Sequence, residues 1–231
     1  FSTWSGVCTT SICSCVAAPA TPLKIPRLLA ISSPAVVPGA AWRRWCAALA
    51  AAGVDALQVR CKGCSDRDLL ALTTEARSAA PDTLAILVNA RPDIVLAAGA
   101  QGVHLPAAGL PIAPVRRALD ALPGRPLLIG RSTHSVEEIR LARDQGADFA
   151  LFGPVFETPS KAGRMAPRGL RLLTAAVATG LPVLALGGVD ASNARQIVDC
   201  GAAGLAAIRW FEDPVAGGAQ FQAVLRLWQA A

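Results

Sequence analysis

Two histidines, three lysines and two asparagines in 231 residues are scarce enough for their positions to carry information. His104 closes the short apolar run Gly102–His104, and His134 stands just past another run, in Gly130-Arg131-Ser132-Thr133-His134-Ser135. Asn89 follows the run Leu84–Val88, Gln58 and Arg60 lie on Ala56–Arg60, and Lys62 comes two residues later. Thr158, Ser160 and Lys161 follow Phe149–Phe152. An imidazole with an unperturbed pKa of about 6.5 gives and takes protons at neutral pH, which makes His134, in its polar loop, the acid/base candidate. His104 reads equally well as a structural histidine. The cations, with Gln58, Asn89, Ser132, Thr158 and Ser160, describe a polar cavity suited to a phosphate-bearing ligand. Gly187-Gly188 lack Cβ atoms, so their main-chain N–H groups can approach an anion closely; with the Ala207-Ile208 backbone they form a candidate phosphate seat.

These residues share a position in a repeating pattern. Short apolar runs predict strands at Leu28–Ile31, Ala56–Arg60, Leu84–Val88, Gly102–His104, Leu127–Gly130, Phe149–Phe152, Val183–Leu186 and Gly204–Ala207. Amphipathic stretches between them predict helices at Ala40–Ala52, Asp66–Ala79, Pro92–Ala98, Ile112–Leu119, Val136–Gln145, Leu170–Thr179, Ser192–Cys200 and Phe221–Ala230. Gly53, Gly99, Gly146, Gly180 and Gly201 each follow a helical stretch, and Ser135 with Glu137 and Glu138 opens one. Eight strand–helix units in about 200 residues fit a single-domain (β/α)8 TIM barrel, α/β in class, better than an open doubly wound sheet. No Gly-x-Gly-x-x-Gly follows the first strand, which weighs against a dinucleotide site. The scarce reactive residues then fall at the C-terminal strand ends, where barrels carry their chemistry.

Composition narrows the class further. An apolar content of 53% with 16% charged residues suits strands buried on both faces and excludes a disordered chain. No apolar run reaches the roughly 18 residues of a membrane span. The net charge of +6 comes from scattered basic residues without an aromatic-interleaved stripe, and Tyr is absent, so nucleic acid is not an expected partner. Seven cysteines without framework spacing point to a reducing, cytoplasmic setting. Cys61 and Cys64 form a lone C-x-x-C, read as structural because no second pair accompanies it. Residues 1–26 read as a tail and 27–231 as the barrel.

At these motifs the sequence resembles the family containing thiamin phosphate synthase and the thiazole tautomerase TenI. The resemblance runs in order through Gln58-Val59-Arg60-Cys61-Lys62, Val88-Asn89-Ala90-Arg91, Gly102-Val103-His104-Leu105-Pro106, Gly130 to Ser135, Phe152-Gly153-Pro154-Val155-Phe156-Glu157-Thr158, Ser160-Lys161, Ala185-Leu186-Gly187-Gly188-Val189 and Gly201 to Ala207. It implies two different chemistries. Synthases of the family join a pyrimidine pyrophosphate to a thiazole phosphate, with Mg²⁺ held by an Asp after the third-strand Asn and another after the Gly-Val-His-Leu motif. Ala90 and Gly109 occupy those positions here. The tautomerase requires no metal and is similar at three places: the small residue after the third-strand Asn (Ala90), Pro106 after the His-Leu strand end, and Gly130-Arg131-Ser132-x-His134-Ser135 on the fifth strand. The resemblance therefore implies, first, a metal-independent isomerase that aromatises a thiazole carboxylate phosphate with His134 as acid/base, with no cofactor. The alternative is the Mg²⁺-dependent transferase, and a third reading is a non-catalytic phosphate-ligand sensor. A small phosphorylated thiazole is the expected partner, and related barrels often form homo-oligomers.

Overall fold

The computed structural model describes residues 24–32, 36–124, 126–158 and 165–230. Eight parallel strands run β1 (Leu28–Ile31), β2 (Ala56–Val59), β3 (Ala85–Asn89), β4 (Gly102–Leu105), β5 (Leu128–Thr133), β6 (Phe149–Phe152), β7 (Val183–Leu186) and β8 (Gly204–Ala207). Each pairs with the next, and β8 pairs with β1, closing the sheet into a barrel. Around it lie α1 (Ala40–Ala51), α2 (Asp66–Ala79), α3 (Pro92–Ala98), α4 (Ile112–Asp120), α5 (Val136–Asp144), α6 (Gly169–Val177), α7 (Ala194–Asp199) and α8 (Pro214–Leu227). A short 3₁₀ turn, Arg209–Phe211, sits between β8 and α8. The fold is the (β/α)8 barrel expected from the strand count.

Closure explains the composition. A strand inside a ring of helices is buried on both faces, so its residues divide between two apolar compartments. Leu29, Ala56, Leu87, Leu128, Phe149, Leu151, Leu184 and Ala206 fill the barrel interior. Their strand neighbours, such as Leu28, Leu57, Val88 and Leu205, pack outward under the helices. Alternation with period two then carries Gln58, Asn89, His104 and Ser132 to the inward face, above this interior layer.

The opposite end is tied by charged groups. The Asp55 carboxylate, before β2, accepts from the N–H groups of Arg27 and Leu28 at 3.0 and 2.9 Å, anchoring the start of β1. Arg116 on α4 donates to Gly146 O, Leu127 O and the Asp148 carboxylate, the last at 2.6 Å, while Asp148 also accepts from Ile129 N–H. One guanidinium thus joins α4 to the starts of β5 and β6.

Several boundaries differ from the sequence expectation. β2 stops at Val59 rather than Arg60, β3 shifts by one residue to Ala85–Asn89, and β4 extends by one to Leu105. β5 continues through the polar residues Arg131, Ser132 and Thr133, because Thr133 keeps register with Phe152 on β6. α8 begins at Pro214 rather than Phe221: Asp213 caps it by accepting from Ala216 N–H, and Pro214 takes the first turn, where a missing N–H costs nothing. All five expected helix-stop glycines have positive φ.

Candidate active site

Gln58, Asn89, His104 and Ser132 converge on the inner wall near the C-terminal strand ends. Gln58 Nε2 donates to Asn89 Oδ1 at 3.0 Å, coupling β2 to β3. His104 is buried and lies 2.8 Å through Nε2 from Ser132 Oγ, while its Nδ1 has no partner among the described residues. A buried N–H without an acceptor is costlier than a bare lone pair, so the proton sits on Nε2 and is donated to Ser132. The Ser132 hydroxyl proton is then available for a ligand. Burial first, and then the charges of Arg131 and Arg60, push the His104 pKa down to about 3, so the ring is neutral and is no acid/base at physiological pH. Gly130 makes room for it, since a Cβ there would stand 2.8 Å from His104 Nδ1 and strike the Phe149 ring.

His134 lies one residue beyond β5. Its Nδ1 is 2.6 Å from Gly153 O, and because a carbonyl only accepts, Nδ1 carries the proton and Nε2 is left as an acceptor. Ser135 caps α5 by accepting from Glu138 N–H, and the Glu138 carboxylate accepts from His134 N–H. The loop is therefore fixed from both sides.

Arg60 follows β2 on the inward side. Its guanidinium is half-buried and makes no hydrogen bond or ion pair with any described residue, and burial lowers its pKa. The Ser32 hydroxyl holds the Arg60 backbone, donating to its carbonyl and accepting from its N–H, both at 2.8 Å. Lys62 is exposed nearby. Ser160 and Lys161 lie outside the described residues.

At the far side of the mouth, Gly187 and Gly188 have φ of 93° and 66°. A Cβ on either would collide with the loop after β6, at Pro154 for the first and at Glu157 O and Phe156 for the second. That loop folds against β7 through Val155 N–H to Leu186 O and Phe156 N–H to Gly187 O. The register Leu186↔Ala206 sets Gly188 level with Ile208, and neither donates its N–H to a described residue. Arg209 Nη2 reaches Thr158 Oγ1 at 3.3 Å, bridging the ends of β8 and β6. Arg209 was not among the sequence candidates; its place directly after Ile208 was the available signal.

Divalent-metal ligation fits this mouth poorly. Ala90 and Gly109 stand where the family resemblance calls for carboxylates. Asp93 and Asp66 both pair with Arg91, and the Asn89 amide oxygen is engaged by Gln58. Arg131 spans the turn after β4, donating to Ala107 O and Leu110 O. Among the described residues no three His, Cys, Asp or Glu side chains gather where they could hold a metal ion.

A closed β/α barrel with polar groups converging at its C-terminal mouth belongs to the class of barrels that carry a site at that end. The particular family follows from comparison. The model of the thiamine monophosphate synthase family matches residues 28–211, and the chain belongs to that family. A thiamine-phosphate synthase of Anaeromyxobacter dehalogenans is 40% identical over 184 residues, covering 78% of this chain and 81% of that one. A putative thiamine-phosphate synthase of Geobacter sulfurreducens is 44% identical over 160 residues, 68% of this chain and 73% of that one. The solved thiamine phosphate pyrophosphorylase of Pyrococcus furiosus superposes with a TM-score of 0.73 at 27% identity, covering 87% and 95% of the two chains.

These relatives overturn the first functional expectation. The expectation is a tautomerase, an isomerase with His134 as acid/base, resting on two absent carboxylates and on likeness at Ala90, Pro106 and Gly130 to Ser135. The similarity across most of the barrel is instead to transferases. A few motif positions weigh less than identity along most of the barrel.

Proposed function

We propose that this protein is a thiamine-phosphate synthase, a transferase joining a pyrimidine pyrophosphate to a thiazole phosphate. The observation that carries the reading is 40% identity over 184 residues to a relative of that name. In the reaction, a carbon–nitrogen bond forms between the pyrimidine methylene and the thiazole ring nitrogen. The carbon–oxygen bond to pyrophosphate breaks, and the leaving oxygen keeps the electron pair. The attacking nitrogen carries no proton, so no general base is required. Stabilising charge on the leaving group is what the site must do.

The residues are assigned accordingly. Arg60 and Lys62, with Lys161, meet pyrophosphate; Ser132, oriented by His104, donates its hydroxyl to it. Gln58 and Asn89 hold the pyrimidine as a coupled pair of amides. Gly188 and Ile208, flanked by Gly187 and Ala207, offer backbone N–H groups to the thiazole phosphate, with Thr158 beside them; Ser160 keeps its place as a candidate contact from sequence alone. His134 becomes a binding residue, presenting Nε2 as an acceptor. The thiols of Cys46, Cys61, Cys64 and Cys200 are free, which suits a reducing cytoplasm, where we place the reaction.

The test is direct: incubate the purified chain with both substrates over a range of Mg²⁺ concentrations and measure thiamine phosphate and released pyrophosphate. Equimolar formation of the two is expected. Arg60→Met should lower kcat/KM by about 100-fold, in keeping with loss of a charged contact to the leaving group. Absence of thiamine phosphate under every condition overturns the assignment.

A further inference from the structure

The mouth has cations and hydrogen-bond donors but few free oxygen ligands. Mg²⁺ holds its octahedral shell through hard oxygens, commonly one or two carboxylates together with substrate phosphates. The acids nearest the end of β3 are committed elsewhere: Asp93 makes a two-point contact with Arg91, with hydrogen bonds of 2.9 and 2.6 Å, and Asp66 reaches the same guanidinium from α2. The carbonyls after β4 are covered as well, since Arg131 donates to Leu110 O at 2.9 Å and to Ala107 O at 2.8 Å. A guanidinium over that turn repels a second cation. The Arg60 guanidinium, in contrast, is half-buried and makes no hydrogen bond or ion pair with a described residue.

We infer that the described residues of the mouth ligate no divalent cation of their own, that the losses at Ala90 and Gly109 account for this, and that the charge of the leaving pyrophosphate is met by the protein's own cations, Arg60 among them, in place of a metal. Ala90 has φ of 65°, a left-handed conformation that Asp and Asn adopt more readily than Ala, and its N–H is fixed to His104 O at 2.8 Å. An Asp at position 90 therefore meets no new backbone strain. At Gly109 a Cβ would come within 3.0 Å of the Pro106 ring and carbonyl, so the turn must give by a few tenths of an ångström. Metal ligation can thus be restored at two positions without rebuilding the barrel.

The inference rests on pyrophosphate being the leaving group of the proposed transfer, and it is read without turnover. Mn²⁺ titrated into the unmodified chain, followed by the electron paramagnetic resonance signal of free Mn²⁺, should show no bound ion at up to a few hundred micromolar. The double variant Ala90→Asp/Gly109→Asp, with its fold checked by circular dichroism, should take up one Mn²⁺ per chain. Calorimetric titration with inorganic pyrophosphate should show binding no weaker in EDTA than in excess Mg²⁺, and Arg60→Met should weaken it at least about tenfold. Arg60→Lys, which keeps the charge, should lose less. A stoichiometric Mn²⁺ site in the unmodified chain, pyrophosphate binding only with Mg²⁺, or a folded double variant that gains no Mn²⁺ would each overturn the inference. If pyrophosphate binds without metal but thiamine phosphate never forms, the proposed reaction fails while the inference about the anion site stands.

Discussion

Burial decides the chemistry of the two histidines. Both lie near strand ends, yet His104 is enclosed and neutral while His134 is partly open with its tautomer fixed by Gly153 O. The enclosed ring has a consequence for acid stability. Its folded pKa is lowered to about 3 against an ordinary value of 6.5, so between these values the unfolded chain takes up a proton that the folded chain refuses. The stabilisation is present above pH 6.5 and is lost as pH falls toward 3, with a slope of up to about 1.4 kcal/mol per pH unit. Denaturant titrations from pH 7 to pH 4 should show this slope, and His104→Asn, which cannot titrate, should flatten it even if it is less stable at pH 7. The strand-end places of Asn89 and His104 were legible in the sequence from their scarcity, whereas the inward direction of Gln58 and Ser132 follows from alternation about the interior residues Ala56 and Leu128 of the closed barrel. The engagement of Asp93 by Arg91 was not fully legible, because the second acid, Asp66, arrives from another helix.

At the scale of elements, strand positions were readable because each is a short apolar run between turn residues. Helix starts were less so. The first turns of α8 contain Gly217 and Gly218, weak helix formers that masked the cap at Asp213 and Pro214. The fifth strand was read short because Arg131, Ser132 and Thr133 are polar; barrel register, which is tertiary, extends it. The Arg116 clamp works at this scale too. Arg116→Met removes donors to Gly146 O, Leu127 O and Asp148 at once. Its expected cost is about 2–3 kcal/mol, measurable by urea denaturation. KM for either substrate should be unchanged, since the clamp is at the end of the barrel opposite the mouth.

For the whole molecule, closure makes the last helix as necessary as the first strand. The family match ends at residue 211, but Phe221 and Val224 of α8 are buried, and Phe221 packs against the Phe211 and Trp210 rings at 4.9 and 5.0 Å. Gln222 donates to Ala52 O and Trp228 Nε1 to Ala202 O, which ties α8 to the ends of α1 and α7. A chain terminated after Glu212 should therefore lose several kcal/mol, since each fully buried large apolar side chain contributes about 1.5–3 kcal/mol. Circular dichroism and a thermal melt would check this: a truncated chain with an unchanged Tm contradicts the role given to α8.

The pairing of Asp66 and Asp93 with Arg91 also bears on how fast ligands arrive. With those acids paired to Arg91, and Arg60 and Lys62 making no ion pair with a described residue, these cations are expected to give the open end of the barrel a positive field, and both expected substrates are polyanions. Such a field steers diffusing anions inward and is screened over about 10 Å at 0.1 M salt. Association rates from stopped-flow mixing with pyrophosphate should fall as ionic strength rises while dissociation rates change little. Substituting Arg91 by Met would release two negative charges beside the mouth, and should slow capture at low salt more than at high.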